Sequence, residues 1–91
     1  MEKQVNQVRV RIMDEDYTLA SEEKDNYMLL LANYVDQKMQ GIRQSNPYLS
    51  RSRIAVLTAL NLADELTKLQ EEYDDLLQRM DEKEKEKTAE A

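Results

Sequence analysis

The chain has 91 residues, a net charge of −6 and 35% charged residues, with one glycine, one proline, no cysteine and no histidine. Such a length supports one small domain with a modest core, and so little glycine and proline favours long helices over a turn-rich sandwich or barrel. The missing residue types exclude disulfides, thiolate metal sites, histidine acid–base chemistry and glycine-rich phosphate loops.

The opening MEKQVNQVRVRI lacks the apolar core of a signal peptide, and no run approaches the roughly 20 apolar residues of a membrane span. A soluble, cytoplasmic chain without cofactor or metal is the expectation. Val5 to Ile12, VNQVRVRI, alternates in the strand period, with Val8, Val10 and Ile12 on one face and Gln7, Arg9 and Arg11 on the other. Tyr17 to Ala20, YTLA, reads as a second short strand with Tyr17 and Leu19 on one face. MDED between them has turn chemistry, because aspartate tolerates left-handed backbone, although the glycine of a tight hairpin is absent. A lone two-stranded hairpin is marginal in water, so its apolar face must lie on something.

A first helix follows, with Ser21 as its N-cap and acids in its first turn, where the helix dipole favours them. Met28, Leu31, Val35, Met39 and Ile42 form one stripe, which Tyr27, Leu30 and Tyr34 widen. Gly41 and then SNPYLS, with Pro47, end this helix and supply an elbow. The second helix starts at Ser50 or Ser52 and runs into the eighties as a projecting rod. Eight of the ten residues from Ile54 to Ala63 are apolar, at every angle around the helix. Ala55, Ala59, Leu62, Leu66, Leu69, Tyr73, Leu76 and Met80 then fall at alternating steps of four and three, a heptad seam that Lys83 breaks. The organisation expected is an α+β head over residues 1–63, a coiled-coil segment over 64–81 and a charged, fraying tail over 82–91.

The first helix and the hairpin can each cover one flank of Ile54–Ala63, and a third flank remains. Leaving large apolar side chains in water forfeits about 1.5–3 kcal/mol each, which a small domain cannot absorb. A second copy of the same chain is the simplest cover, since most oligomers are symmetric. Val56, Leu60 and Leu62 are the interface residues there, and Leu66, Leu69, Tyr73, Leu76 and Met80 those of the seam. Tyr73 packs with its hydroxyl at the edge. Asn61 is read as a buried amide bonded to nearby backbone, with a register-fixing contact between chains as the other reading.

Charge is unevenly placed. Residues 1–53 are neutral and all six excess negative charges lie in residues 54–91. Between Gln37 and Ala63 there is no acid, only Lys38, Arg43, Arg51 and Arg53. Arg51 and Arg53 stand in a helix's first turn, where cations are disfavoured, so a partner contact is the expected benefit for this basic elbow. Reversing Arg43 and Arg51 is accordingly expected to leave stability nearly unchanged. The paired carboxylates Asp64–Glu65, Glu71–Glu72 and Asp74–Asp75 splay apart on a helix and read as a solvated face. Asp14-Glu15-Asp16 reads as a turn, lacking the glycine and closing glutamate of a calcium loop.

The valine-rich first strand, the tyrosine of the second, YVDQKMQGIRQSNPYLS, RIAVLTALNLADEL and the charged coiled coil together resemble the ZapA family over about residues 8–80. That resemblance implies a small cytoplasmic bacterial cell-division protein, acting at the midcell division ring, that binds FtsZ, the tubulin-like polymer of the ring. It also implies a hairpin plus two helices, heads that dimerise, and dimers that pair through the long helices into an antiparallel tetramer. Such a body bridges FtsZ filaments, and the acid-free elbow, Lys38, Arg43, Arg51 and Arg53, is the natural docking surface for an acidic polymer. MDED departs from the family in lacking a turn glycine. The function expected is non-enzymatic: FtsZ binding and filament bundling. A coiled-coil adaptor for another acidic protein is the alternative; a nucleic-acid-binding dimer is the third, disfavoured by a sequence pI of 4.6.

Overall fold

The structure, a computed structural model, describes residues 5–89. Its elements in chain order are β1 (Asn6–Ile12), β2 (Glu15–Ser21), α1 (Asp25–Ser45) and α2 (Arg51–Ala89). This is the α+β arrangement expected, a hairpin followed by two helices with the second long. The strands pair antiparallel, with Val8 opposite Leu19, Val10 opposite Tyr17 and Ile12 opposite Glu15. The period-two pattern thus sets the register, with Val8 and Val10 buried and Arg9 and Arg11 on the open face. On that open face Arg9 and Arg11 both reach Asp16, at 3.1 and 3.7 Å.

Contacts divide the chain into two compact units, one ending at Thr58 and the other starting at Ala59. The first holds two small cores. Val8 and Val10 pack on Ala32, with Ile12, Leu19 and Met28 around them. Met13, Met39 and Ile54 form the second, flanked by Ile12, Val35, Ile42 and Leu49. Hairpin and first helix therefore each cover part of the apolar start of α2, through Ile54, which is 1% exposed. On α1 the buried stripe takes Ala32 in place of the expected Leu31, which is 42% exposed. A small residue at that position lets the valine face of β1 approach closely.

Local boundaries differ from the sequence expectation in three places. Ser21 is not the N-cap of α1. It pairs with Asn6 in the ladder, its Oγ accepts the Glu23 N–H at 3.0 Å, and Lys24 caps without a side-chain bond. Gly41 lies inside α1, which continues to Ser45. Asn46 ends it with φ −139° and ψ 72°, since the residue before proline avoids helical backbone. Its N–H closes the helix on the Ile42 carbonyl at 2.9 Å. Asn61, third, is exposed, and the buried polar residue of α2 is Thr58, whose Oγ1 donates to the Ile54 carbonyl at 2.8 Å. At the start of α2, Ser50 does cap, its Oγ accepting the Arg53 N–H at 3.2 Å.

The second unit is helix alone. Acid-before-base pairs four residues apart support it, Asp64–Lys68 at 2.9 Å, Asp75–Arg79 at 3.1 Å and Asp81–Lys85 at 3.5 Å. Helix continues through the charged run to Ala89, and the last two residues of the expected tail lie outside the described residues.

Candidate functional site

The two residues of the hairpin turn both have positive φ, 47° at Met13 and 68° at Asp14. That is the mirror-image turn whose twist suits a two-residue hairpin, built here without glycine. A bulky residue is strained in this backbone region and stays there only where its surroundings over-determine it. They do so at Met13. Its side chain is 5% exposed in the second core. Its N–H donates to Asp36 Oδ1 of α1 at 2.6 Å, and its carbonyl accepts from Arg51 Nη1 of α2 at 2.7 Å. One turn residue is thus held by a helix on each side.

Arg51 is the centre of this clamp. Its Nη2 donates to the Ile12 carbonyl at 2.7 Å and to the Tyr17 hydroxyl at 3.1 Å, and its Nε lies 3.5 Å from Glu15 Oε2. The Tyr17 hydroxyl in turn donates to Glu15 Oε2 at 2.9 Å. The hydrogen bond with Tyr17, with the nearby Glu15 charge adding to it and desolvation opposing, pushes the Arg51 guanidinium above its ordinary value. The benefit that the sequence leaves unaccounted for at this cation is therefore found inside the chain. A cation disfavoured by its own helix start is compensated by two turn carbonyls, a hydroxyl and a carboxylate.

The other elbow cations are placed differently. Arg43 Nη1 lies 3.1 Å from Asp14 Oδ2, and its Nη2 donates to Gln40 Oε1. Lys38 Nζ stands 5.5 Å from the centre of the Tyr34 ring, a cation–π distance. Arg53 is exposed beside a small apolar pocket made by Leu49, Val56 and Leu57. Acid-free in sequence, the elbow is thus not acid-free in space. The turn brings Asp14 and Glu15 to it from 29 and 36 positions away, which no local pattern signals. Tyr48, in the elbow loop, is fully exposed.

The expected oligomer residues stand open in the single chain. Val56 and Leu60 are 60% and 61% exposed and Leu62 is half-buried. Leu66, Leu69, Tyr73, Leu76 and Met80 are all between 56% and 65% exposed. An open apolar groove of about 410 Å³ lies in the first unit, lined by Ile12, Tyr17 and Leu19 of the hairpin, Val35 of α1, and Arg51 and Ala55 of α2. Neither this groove nor the clamp that Asp36 and Arg51 close on the turn is legible in the sequence, because each joins residues from three separate segments. Among the described residues, no helix is long and apolar enough to cross a membrane.

Residues 8–91 match the family model described as Cell division protein ZapA. A Cell division protein ZapA of Geobacillus sp. (strain WCH70) is 43% identical over 79 residues, 87% of this chain and 91% of that one. Another, of Shouchella clausii (strain KSM-K16), is 42% identical over 76 residues, 81% of this chain and 97% of that one. Among solved structures, the ZapA mutant dimer from Geobacillus stearothermophilus superposes with a TM-score of 0.67 at 38% identity, covering 87% of this chain and 92% of that one. Hairpin, elbow and long amphipathic helix, matched in sequence and in fold over most of their length, make this chain a member of the ZapA family of cell division proteins.

Proposed function

We propose that this chain is a non-enzymatic cell-division protein of the cytoplasm, acting at the midcell ring, that self-associates, binds FtsZ and bundles its filaments by cross-linking them. The observation that carries this reading is the set of apolar side chains left open along α2. Eight of them from Val56 to Leu77, among them Leu66, Leu69, Tyr73 and Leu76, are each 39% or more exposed. Full burial of a large apolar side chain is worth about 1.5–3 kcal/mol, and covering the roughly half that is still open on each of these gives a sum comparable to a small domain's whole stability margin. The solved relative from Geobacillus stearothermophilus is described as a dimer, and a second copy is the proposed cover here. Dimers then pair antiparallel through the seam into a tetramer.

Such a body presents several copies of one docking surface, so that weak single contacts become strong once neighbouring filaments are engaged. Lys38, Arg43 and Arg53 supply the cationic contacts to the acidic filament. Arg51 serves the same surface through the turn that it holds. Co-sedimentation with assembled FtsZ, read together with electron microscopy of the pellet, tests the proposal. Saturable pelleting with parallel filament bundles is expected. FtsZ filaments that pellet without this protein, at low salt and at micromolar concentrations of both, would refute it.

A further inference from the structure

We infer that the free edge of β1 is a docking site for an extended, acidic segment of another protein, added to the hairpin as a third strand. The site lies apart from the elbow cations assigned to the filament contact above and does not depend on that reading.

The hairpin turn fixes which backbone groups are free. Met13 and Asp14 make a two-residue turn of the mirror-image kind, so Ile12 and Glu15 form the closing hydrogen-bonded pair. Bonded and non-bonded pairs then alternate along an antiparallel ladder. Ile12, Val10, Val8 and Asn6 direct their backbone groups at β2, whereas Gln7, Arg9 and Arg11 turn theirs to the outer edge. The sheet has two strands, and among the described residues no backbone–backbone bond outside the ladder reaches these three. β1 also lacks the usual guards of an open edge. It holds no proline, and its pairing runs from Asn6 to Ile12 without a bulge.

Charge selects the occupant. On the open face, the exposed Arg9 and Arg11 share one carboxylate, that of Asp16, which leaves one positive charge in excess beside the edge. A second copy pairing antiparallel through the whole of the same edge would set Arg9 against its own counterpart, and like charges opposite one another destabilise a ladder. By the same alternation, the free groups of β2 belong to Asp16, Thr18 and Ala20, so that edge carries an acid. An acidic strand is therefore matched by β1 and opposed by β2.

The underside adds an apolar requirement. Val8 and Val10 rest on Ala32 of α1. From Ala32, Leu29 and Asp36 lie about 40–60° round the helix on one flank, and Val35 about 60° on the other. Val35 lines the groove with Tyr17 and Leu19, so its flank is the one beneath β2. Asp36 takes the Met13 N–H, and the Leu29 flank runs on beneath the free edge of β1. Leu29 is 46% exposed, and a strand beside β1 would lay an apolar side chain on it. The segment that fits has acids at every second position, facing Arg9 and Arg11, and a large apolar residue between them, facing Leu29.

A dye-labelled peptide alternating glutamate and valine, matched to β1 in length, is the probe, used with the full chain. Fluorescence anisotropy should show saturable binding that weakens about ten-fold or more for Arg9→Gln with Arg11→Gln. A peptide alternating lysine and valine should not bind. Methylating alternate amide nitrogens of the acidic peptide separates main-chain pairing from charge attraction. Methylation in one phase should abolish binding, and in the other phase should leave it. Equal effects of the two phases, or unaltered affinity of the variant, would overturn the site. So would no binding at about millimolar peptide, which would leave the edge to solvent or to a second copy. Should the variant lose its circular dichroism signal, the methylated peptides alone decide. No FtsZ enters the assay, so a failure here leaves the filament reading intact.

Discussion

Replacing each residue of the turn by glycine separates backbone strain from packing. Met13→Gly relieves a left-handed methionine, a gain of about 1–3 kcal/mol. It also deletes a side chain that is 5% exposed among Met39 and Ile54, and buried methionine truncation costs about 2–5 kcal/mol. Glycine's extra freedom in the unfolded chain costs about 0.5–1 kcal/mol more. Packing wins, and the variant should lose about 1–4 kcal/mol. Asp14→Gly gains less, because aspartate tolerates this backbone, and loses only the exposed bridge to Arg43, worth about 0–1 kcal/mol. That variant should stay within about 1 kcal/mol of the parent. Urea unfolding followed by circular dichroism, at one fixed protein concentration because assembly adds to apparent stability, gives both numbers. A Met13→Gly chain as stable as the parent, or less damaged than Asp14→Gly, would show that the turn is not held by its buried side chain. Should the order hold, a turn glycine is dispensable here because Met13 is anchored from three sides.

Ile54→Ala should cost about 2–5 kcal/mol by the same assay, since its side chain is the one most completely enclosed among the described residues. Arg51→Met should lower the melting temperature by removing its bonds to Met13, Ile12 and Tyr17, whereas Arg53→Met should leave it nearly unchanged; equal effects would refute the clamp. Leu69→Glu with Leu76→Glu should keep a folded dimeric head but lose the tetramer and most filament bundling, read by light scattering and pelleting, because unpaired charges cannot be buried on a seam. Lys38→Glu with Arg53→Glu should weaken FtsZ co-sedimentation without loss of helix signal, and parent binding should fall as salt rises; salt-independent binding would place the contact elsewhere.

Periodicity alone determined the elements of this protein and the faces that its strands bury. Val8, Val10 and Ile12 repeat every second residue, the stripes of both helices repeat at helical spacing, and Pro47 dictates a break, all within a few positions of one another. The family, too, was legible from contiguous stretches such as RIAVLTALNLADEL. Tertiary structure decided what contiguous stretches cannot encode. Ser21 carries a capping residue's chemistry, yet the ladder holds it in β2. Ala32 rather than Leu31 meets the hairpin, because which side of α1 faces Val8 and Val10 is set by how the two elements dock and not by the apolar stripe alone. Most of all, the elbow that reads as purely cationic acquires Asp14 and Glu15 from a turn about thirty positions away. Arg51, disfavoured by its own helix, is compensated by carbonyls that only folding brings within 2.7 Å of it. Charge along a sequence is summed over neighbours in the chain, whereas the field that a partner meets is summed over neighbours in space.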